Sequence, residues 1–208
     1  MFRGETTADA VVIGGGLTGC TAAYVLAHAG LRVILLEADR LASGATASGI
    51  GAIVPQPDAS FLSTTGAIGR RAARSAWAST RRGAADFATT LKRLRIACDL
   101  APIPFVINAP HPSDAVLLRR EQAARKQAGI DAPWLSAPAA GAALGTDSAG
   151  ALRGGGAFTF DPVRAALGLA KAAASAGATI CERSPVRRTR FTRKYADVVV
   201  AGGTIRTR

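Results

Sequence analysis

The feature that most constrains the fold of this chain is a glycine turn between an apolar segment and a helical segment. Residues 14–19 read Gly-Gly-Gly-Leu-Thr-Gly and fit the pattern G-x-G-x-x-G. They follow the apolar run 10–13, which is typical of a buried parallel strand, and they precede a predicted helix over 18–29. A second apolar, branched run over 31–36 ends at Glu37. Strand, turn, helix and strand together predict a βαβ unit.

The glycine turn opens a longer pattern, GxGxxGxxxAxxxxxxGxxVxxxE, in which every fixed position is filled. Such a pattern predicts a dinucleotide-binding site. Gly14 allows a tight turn out of the strand, Gly16 lets the backbone approach a pyrophosphate, and Gly19 lets the helix pack closely on the sheet. We expect the pyrophosphate at the first helical turn, at Leu17 and Thr18, because free N–H groups and the positive end of the helix dipole lie there.

The acidic residue that closes the pattern concerns the adenosine ribose. Glu37 stands at the end of the second strand, where its carboxylate can accept hydrogen bonds from the ribose hydroxyls. A carboxylate at this position repels a 2′-phosphate, so the pattern disfavours NADP. It does not by itself distinguish FAD from NAD.

The segment after this residue bears on the choice between the two cofactors. Apart from Ile50, residues 43–51 are small or hydroxylated, and such a loop can run along a pyrophosphate towards a large planar ring. This favours FAD as the cofactor. The alternatives are an NAD-dependent dehydrogenase, or a plain flexible loop without a binding role. The loop residues predicted to bind the cofactor are Ala45, Thr46, Ser48 and Gly49.

The net charge of +12 raises the question of a nucleic-acid partner. The excess consists of scattered arginines, and no basic-aromatic recognition motif accompanies them. We interpret these residues as solvated helix faces and predict no nucleic-acid partner.

The three cysteines, Cys20, Cys98 and Cys181, are too far apart in sequence for a metal motif or a disulfide framework. They suit a reducing cytoplasm, where free cysteine acts as a small buried hydrophobe. No stretch reads as a transmembrane segment. The sequence therefore predicts a cytoplasmic protein without a metal site.

The middle of the chain predicts mostly helices. Residues 67–95 carry an apolar stripe and a basic face, as in one long amphipathic helix or two. A strand is predicted within 102–109 and a helix over 113–128, with Ser113 as its N-cap. Residues 136–150 read as a small-residue connector.

The last third predicts a further helix and a set of strands. Asp161 and Pro162 are typical of a helix start, and the strand 178–181 follows that helix. Three short strands then end the chain, and Gly202-Gly203 is expected to form the last hairpin turn. The chain stops at Arg208 directly after a strand, which we interpret as the end of a partial protein.

These motifs, in this order, resemble the FAD-dependent oxidoreductases of the D-amino-acid oxidase, glycine oxidase and sarcosine oxidase group. The resemblance rests on the fingerprint, the loop 43–51 and the two segments 153–162 and 177–186. It implies FAD as cofactor, and it implies that the backbone of Val186 binds the adenine. It also implies oxidation of a C–N bond of an amine or amino acid, by hydride transfer to the flavin.

The expected fold is α/β, with a Rossmann-like, three-layer FAD-binding domain that combines a βαβ unit and an antiparallel meander. We predict that residues 1–60 and 152–208 form this domain, and that 61–151 form a partial α+β insert on the substrate side. No catalytic residue is predicted, because the substrate-binding residues of the family lie mainly beyond the matched region. A truncated, non-catalytic nucleotide-binding fragment is the second hypothesis.

Two histidines remain. Some relatives attach flavin covalently through a histidine in the segment after the acidic residue, and neither His28 nor His111 falls there. The resemblance therefore implies non-covalent FAD at that end. His28 reads as a cap or surface residue at the end of the first helix.

Overall fold

The computed structural model describes residues 1–207. Its strands are β1 (Gly4–Ala8), β2 (Ala10–Ile13), β3 (Val33–Leu36), β4 (Ala52–Ile53), β5 (Ala101–Ala109), β6 (Trp134–Leu135), β7 (Gly150–Thr159), β8 (Thr179–Cys181), β9 (Val186–Phe191), β10 (Ala196–Val200) and β11 (Gly203–Thr207). Its helices are α1 (Leu17–His28), α2 (Phe61–Ile68), α3 (Arg70–Arg93), α4 (Pro112–Gln127), α5 (Ala137–Leu144) and α6 (Pro162–Ser175).

The chain divides into two compact units. Unit 1 comprises Met1–Gly51, Leu91–Leu100 and the stretch from Phe160 onward, and unit 2 comprises Ala52–Thr90 and Ala101–Thr159. The predicted domain division differs in placing 91–100 with the insert, and 52–60 and 152–159 with the FAD-binding domain. It stays a prediction.

Unit 1 contains the predicted βαβ unit. Strands β2, β3 and β8 form a parallel sheet in that order, in which Ala10 lies opposite Val33 and Ile34 opposite Thr179. All four residues of β3 are buried, as expected for the central strand of a parallel sheet. A second sheet has the order β1-β11-β10-β9, in which the last three strands are antiparallel. The predicted α/β class with its meander is confirmed.

Helices α1 and α6 pack against each other through small side chains. Helix α1 buries Cys20, Ala23 and Ala27 together with the larger Tyr24, and α6 buries mainly alanines. Small residues at a helix contact allow the two backbones to approach closely. Helix α6 begins as predicted, because an Asp161 carboxylate oxygen accepts the N–H groups of the second and third residues after it, both at 2.9 Å.

Unit 2 is built on an antiparallel sheet of β4, β7 and β5, with β6 paired to β7. Helix α2 packs on α4, and α4 contacts both long strands of the sheet. The aromatic rings of Phe61 and Trp77 meet edge to face, with their centroids 5.6 Å apart, in an apolar cluster that includes Ala73 and Ala128.

Three local predictions are wrong. Residues 136–150 are not only a connector, because they contain α5. This helix consists of small residues and buries only Ala140, so the sequence shows no apolar stripe that would predict it. Helix α4 begins at Pro112, one residue earlier than expected, and its N-cap is His111 rather than Ser113. The last hairpin turn is formed by residues 201–202, because Val200 pairs with Gly203.

An ion pair is buried in unit 2. The Nε of Arg125 lies 2.6 Å from a carboxylate oxygen of Glu121, and both side chains are 6% exposed. The same carboxylate accepts the backbone N–H groups of Phe61 and Leu62, at 2.7 and 2.9 Å, and so caps the start of α2. One carboxylate therefore holds together two helices and an arginine.

We expect Glu121→Gln to lower the free energy of unfolding by about 3 kcal/mol, because it leaves a buried guanidinium without its counter-charge. Urea unfolding followed by circular dichroism measures this change. Glu5→Gln is the matched control, since Glu5 is exposed on β1. Equal losses of stability in the two variants would contradict a structural role for the buried pair.

Candidate dinucleotide site

The turn after β2 admits only glycine at two of its fixed positions. Gly14 has a φ of +102°, and its N–H donates to the carbonyl oxygen of Leu36 at 2.8 Å. A Cβ at Gly19 would overlap the carbonyl oxygen of Gly14. Helix α1 thus starts directly against the turn, and this close approach explains the first and third glycines of the pattern.

The start of α1 presents free backbone donors. Among residues 1–207, the N–H groups of Gly16, Thr18 and Gly19 have no hydrogen-bond partner. The N-cap residue of the helix is Gly16, which has no side chain to accept these N–H groups. Three convergent N–H groups at the positive end of a helix dipole form a cradle for an anion such as a pyrophosphate.

The loop that follows β3 contacts this cradle. The N–H of Ala42 donates to the carbonyl oxygen of Gly15 at 2.9 Å, and the N–H of Leu17 donates to Oγ1 of Thr46 at 2.9 Å. A Cβ at Gly16 would lie 3.0 Å from the same hydroxyl. Of the predicted loop residues, Thr46 therefore lies at the helix start. The other three are exposed: Ala45, Ser48 and Gly49.

The Glu37 carboxylate lies beside the turn and is held by two backbone donors. One oxygen accepts the N–H of Gly15 at 2.6 Å, and the other accepts the N–H of Asp39 at 2.8 Å. A carboxylate can accept about four hydrogen bonds, so acceptor positions remain for a ligand hydroxyl.

The segment between β8 and β9 reaches the same place from a distant part of the chain. The N–H of Ser184 donates to the carbonyl oxygen of Glu37 at 2.8 Å, and the N–H of Arg183 donates to that of Asp39 at 2.9 Å. Val186, two residues further on, is half-buried at the start of β9 and packs on the core of unit 1. Sequence reasoning did not identify Gly15 or Ser184, because neither occupies a fixed position of the pattern.

The remaining titratable candidates are structural. Cys20 is fully buried beneath the turn, and burial, reinforced by the nearby Glu37 carboxylate, raises the pKa of its thiol to about 11. Its thiol is therefore neutral at physiological pH. His28 stacks on Tyr24, with ring centroids 5.5 Å apart, and the N–H of His111 donates to Asp114.

Two kinds of feature are absent from residues 1–207. No group of three or more His, Cys, Asp or Glu side chains is placed to hold a metal ion. None of the helices in this part of the chain combines the length and the apolar character needed to cross a membrane.

The sequence profile of the family described as FAD dependent oxidoreductase (DAO) matches residues 9–207. The chain belongs to this family. FAD is the cofactor of the family, and the match includes the glycine turn, Glu37 and both strands of the βαβ unit.

Known relatives agree with this assignment. Gamma-glutamylputrescine oxidoreductase of Escherichia coli (strain K12) is 33% identical over 96 residues, which are 46% of this chain and 22% of that protein. Glycine oxidase from Geobacillus kaustophilus superposes with a TM-score of 0.80 and 24% identity, over 97% of this chain and 53% of that chain. L-amino acid deaminase from Proteus vulgaris gives a TM-score of 0.75 at 22% identity, over 100% of this chain and 47% of that chain. The chain thus spans about half the length of these two solved structures.

We expect Glu37→Gln to lower the free energy of unfolding by about 1–2 kcal/mol. The side-chain amide has one oxygen, so its NH2 group must face one of the two backbone N–H donors and leave it unsatisfied. Thermal or urea unfolding of the ligand-free chain measures the effect. Asp39→Asn, which removes the same charge from an exposed side chain, is the control, and a similar loss in that variant would contradict this reasoning.

Proposed function

We propose that this chain binds FAD through unit 1 and takes part in the oxidation of a C–N bond of an amine or amino acid. Three observations support this proposal. The chain belongs to a family of FAD-dependent oxidoreductases. Unpartnered N–H groups meet at the start of α1, beside a carboxylate held by the backbone. The relatives named above are, by name, a glycine oxidase, an amino acid deaminase and a glutamylputrescine oxidoreductase.

The observation that carries the proposal is the set of free donors. In this proposal, the N–H groups of Gly16, Thr18 and Gly19 bind the FAD pyrophosphate, and Gly14 shapes the turn. The N–H of Leu17 already donates to Oγ1 of Thr46. Leu17 therefore offers no free donor, and its contact with Thr46 fixes the loop at the start of the helix. The absence of a Cβ at Gly16 leaves the backbone open to a phosphate oxygen.

The other predicted residues have roles on either side of the pyrophosphate. Glu37 accepts hydrogen bonds from the adenosine ribose, and the backbone of Val186 contacts the adenine. The loop residues lead from the pyrophosphate towards the flavin ring: Ala45, Thr46, Ser48 and Gly49. Bound FAD supplies the acceptor of the substrate hydride, while the protein orients it and sets its electrostatic surroundings.

Two further features belong to this proposal. A cytoplasmic location fits the three free, buried cysteines, whose thiol pKa values are all raised by burial. An NAD-dependent dehydrogenase is disfavoured by the family to which the chain belongs. A nucleotide-binding fragment without catalytic activity is the outcome against which the proposal is tested.

We expect the purified chain to take up FAD in about one-to-one stoichiometry, and we expect Gly16→Val to lose it. The valine side chain would occupy the space where the backbone approaches the pyrophosphate. The visible absorbance spectrum after reconstitution and desalting measures the bound flavin. Gly83→Val is the matched control, because Gly83 lies in unit 2 with open space around it.

Each outcome has a clear meaning. A yellow wild type and control with a colourless, folded Gly16→Val variant would support the site. Equal flavin retention in all three proteins would place FAD elsewhere. If the folded wild type remains colourless at saturating FAD, this chain does not bind the cofactor by itself. If the wild type does bind FAD, its oxidation of substrates is tested separately, with simple amines and amino acids.

A further inference from the structure

A large cavity lies entirely within unit 2, away from the glycine turn in sequence. Its volume is about 680 Å³, which is in the range of small-molecule sites. Every residue that lines it belongs to Ala52–Thr90 or Ala101–Thr159. None of the residues predicted to bind FAD contributes to it, and no function is yet attached to it.

The floor of the cavity is apolar and formed by the sheet. Phe105 on β5 lies opposite Gly154 on β7, and Ile107 lies opposite Leu152. The Phe105 ring occupies the space that a side chain at Gly154 would fill. Aromatic and aliphatic side chains on one face of two paired strands form a surface for a hydrocarbon or aromatic body.

The back wall is rigid because Arg125 is held from three sides. Its guanidinium pairs with Glu121, donates to Oε1 of Gln56 at 3.1 Å and lies 4.5 Å from the centre of the Trp77 ring. The Arg125 side chain is 6% exposed. Gln56, Trp77 and Arg125 all line the cavity, so this network fixes its shape before any ligand binds.

The rim of the cavity is cationic. Arg74, Ala78 and Arg81 line it from α3, and their spacing of four and three residues places them on one helix face. Arg153 lines it from β7. Within residues 1–207 the guanidinium groups of these three arginines have no hydrogen-bond or ion-pair partner, and the cavity lining contains one carboxylate, that of Asp131.

We propose that this cavity binds an organic carboxylate with an apolar, aromatic body. The body lies on the floor formed by Phe105, Ile107 and Leu152, and the carboxylate pairs with Arg74 and Arg81. Three free guanidinium groups against one carboxylate favour an anion, and a planar guanidinium can bind a carboxylate through two parallel hydrogen bonds. No residue is shared between this site and the proposed FAD site.

The test uses 4-phenylbutyrate as the probe and isothermal titration calorimetry of the full chain. We expect one binding site per chain. The double variant R74Q/R81Q should raise the dissociation constant roughly tenfold, because two charge-assisted hydrogen-bond donors are lost. The matched control is R71Q/R82Q, which removes the same charge from exposed positions of α3 that do not line the cavity. We expect it to bind like the wild type.

Two further measurements test the apolar part and the charge. Ala78→Phe adds a ring at the rim without changing the charge, and we expect it to abolish binding while circular dichroism shows an intact fold. The neutral analogue 4-phenylbutan-1-ol should bind roughly tenfold more weakly than the carboxylate.

The proposal is overturned by any of three results: no binding of 4-phenylbutyrate, equal weakening in the two arginine double variants, or full binding by a folded Ala78→Phe variant. Gly16→Val separates this site from the flavin site. We expect that variant to bind 4-phenylbutyrate normally, whether or not it retains FAD. Loss of the probe from this variant would contradict the independence of the two sites.

Discussion

The arrangement of unit 1 depends on the position of Glu37. Its carboxylate accepts the N–H groups of Gly15 and Asp39, its own N–H donates to the carbonyl oxygen of Cys181, and its carbonyl oxygen accepts the N–H of Ser184. One residue therefore joins the glycine turn, the end of the central strand and the segment that leads into the meander. Because its carboxylate keeps free acceptor positions, the same residue that organises the turn can also bind a ligand.

The second requirement of unit 1 is that backbones approach closely, and residues with small side chains or none meet it. Gly19 lies against the carbonyl oxygen of Gly14, and most buried residues of the packed helices α1 and α6 are small. Unit 2 differs in that it buries the ion pair of Glu121 and Arg125. Removing one partner of a buried pair costs much stability, so this part of the chain depends on two specific residues as well as on its apolar cluster.

Much of unit 1 could be predicted from local sequence. The apolar run before the glycines, the glycine spacing and the acidic residue at the end of the second strand each have a local physical cause, and they predicted the βαβ unit. Asp161 likewise predicted the start of α6, since an aspartate before a proline caps a helix by its own geometry. Helix α5 was missed because alanine and glycine give no apolar stripe, although Gly145 ends it in a left-handed conformation.

The sequence alone thus determined the class of fold, the dinucleotide turn and the family resemblance, because these depend on residues that are neighbours or have fixed spacing. Only the tertiary structure brought Thr46 to the start of α1 and Ser184 to Glu37. It also joined Arg125 to Gln56 and Trp77 and left a cavity beside them. Such contacts join residues tens of positions apart, and no periodicity or motif in the sequence specifies which distant side chain meets which backbone group.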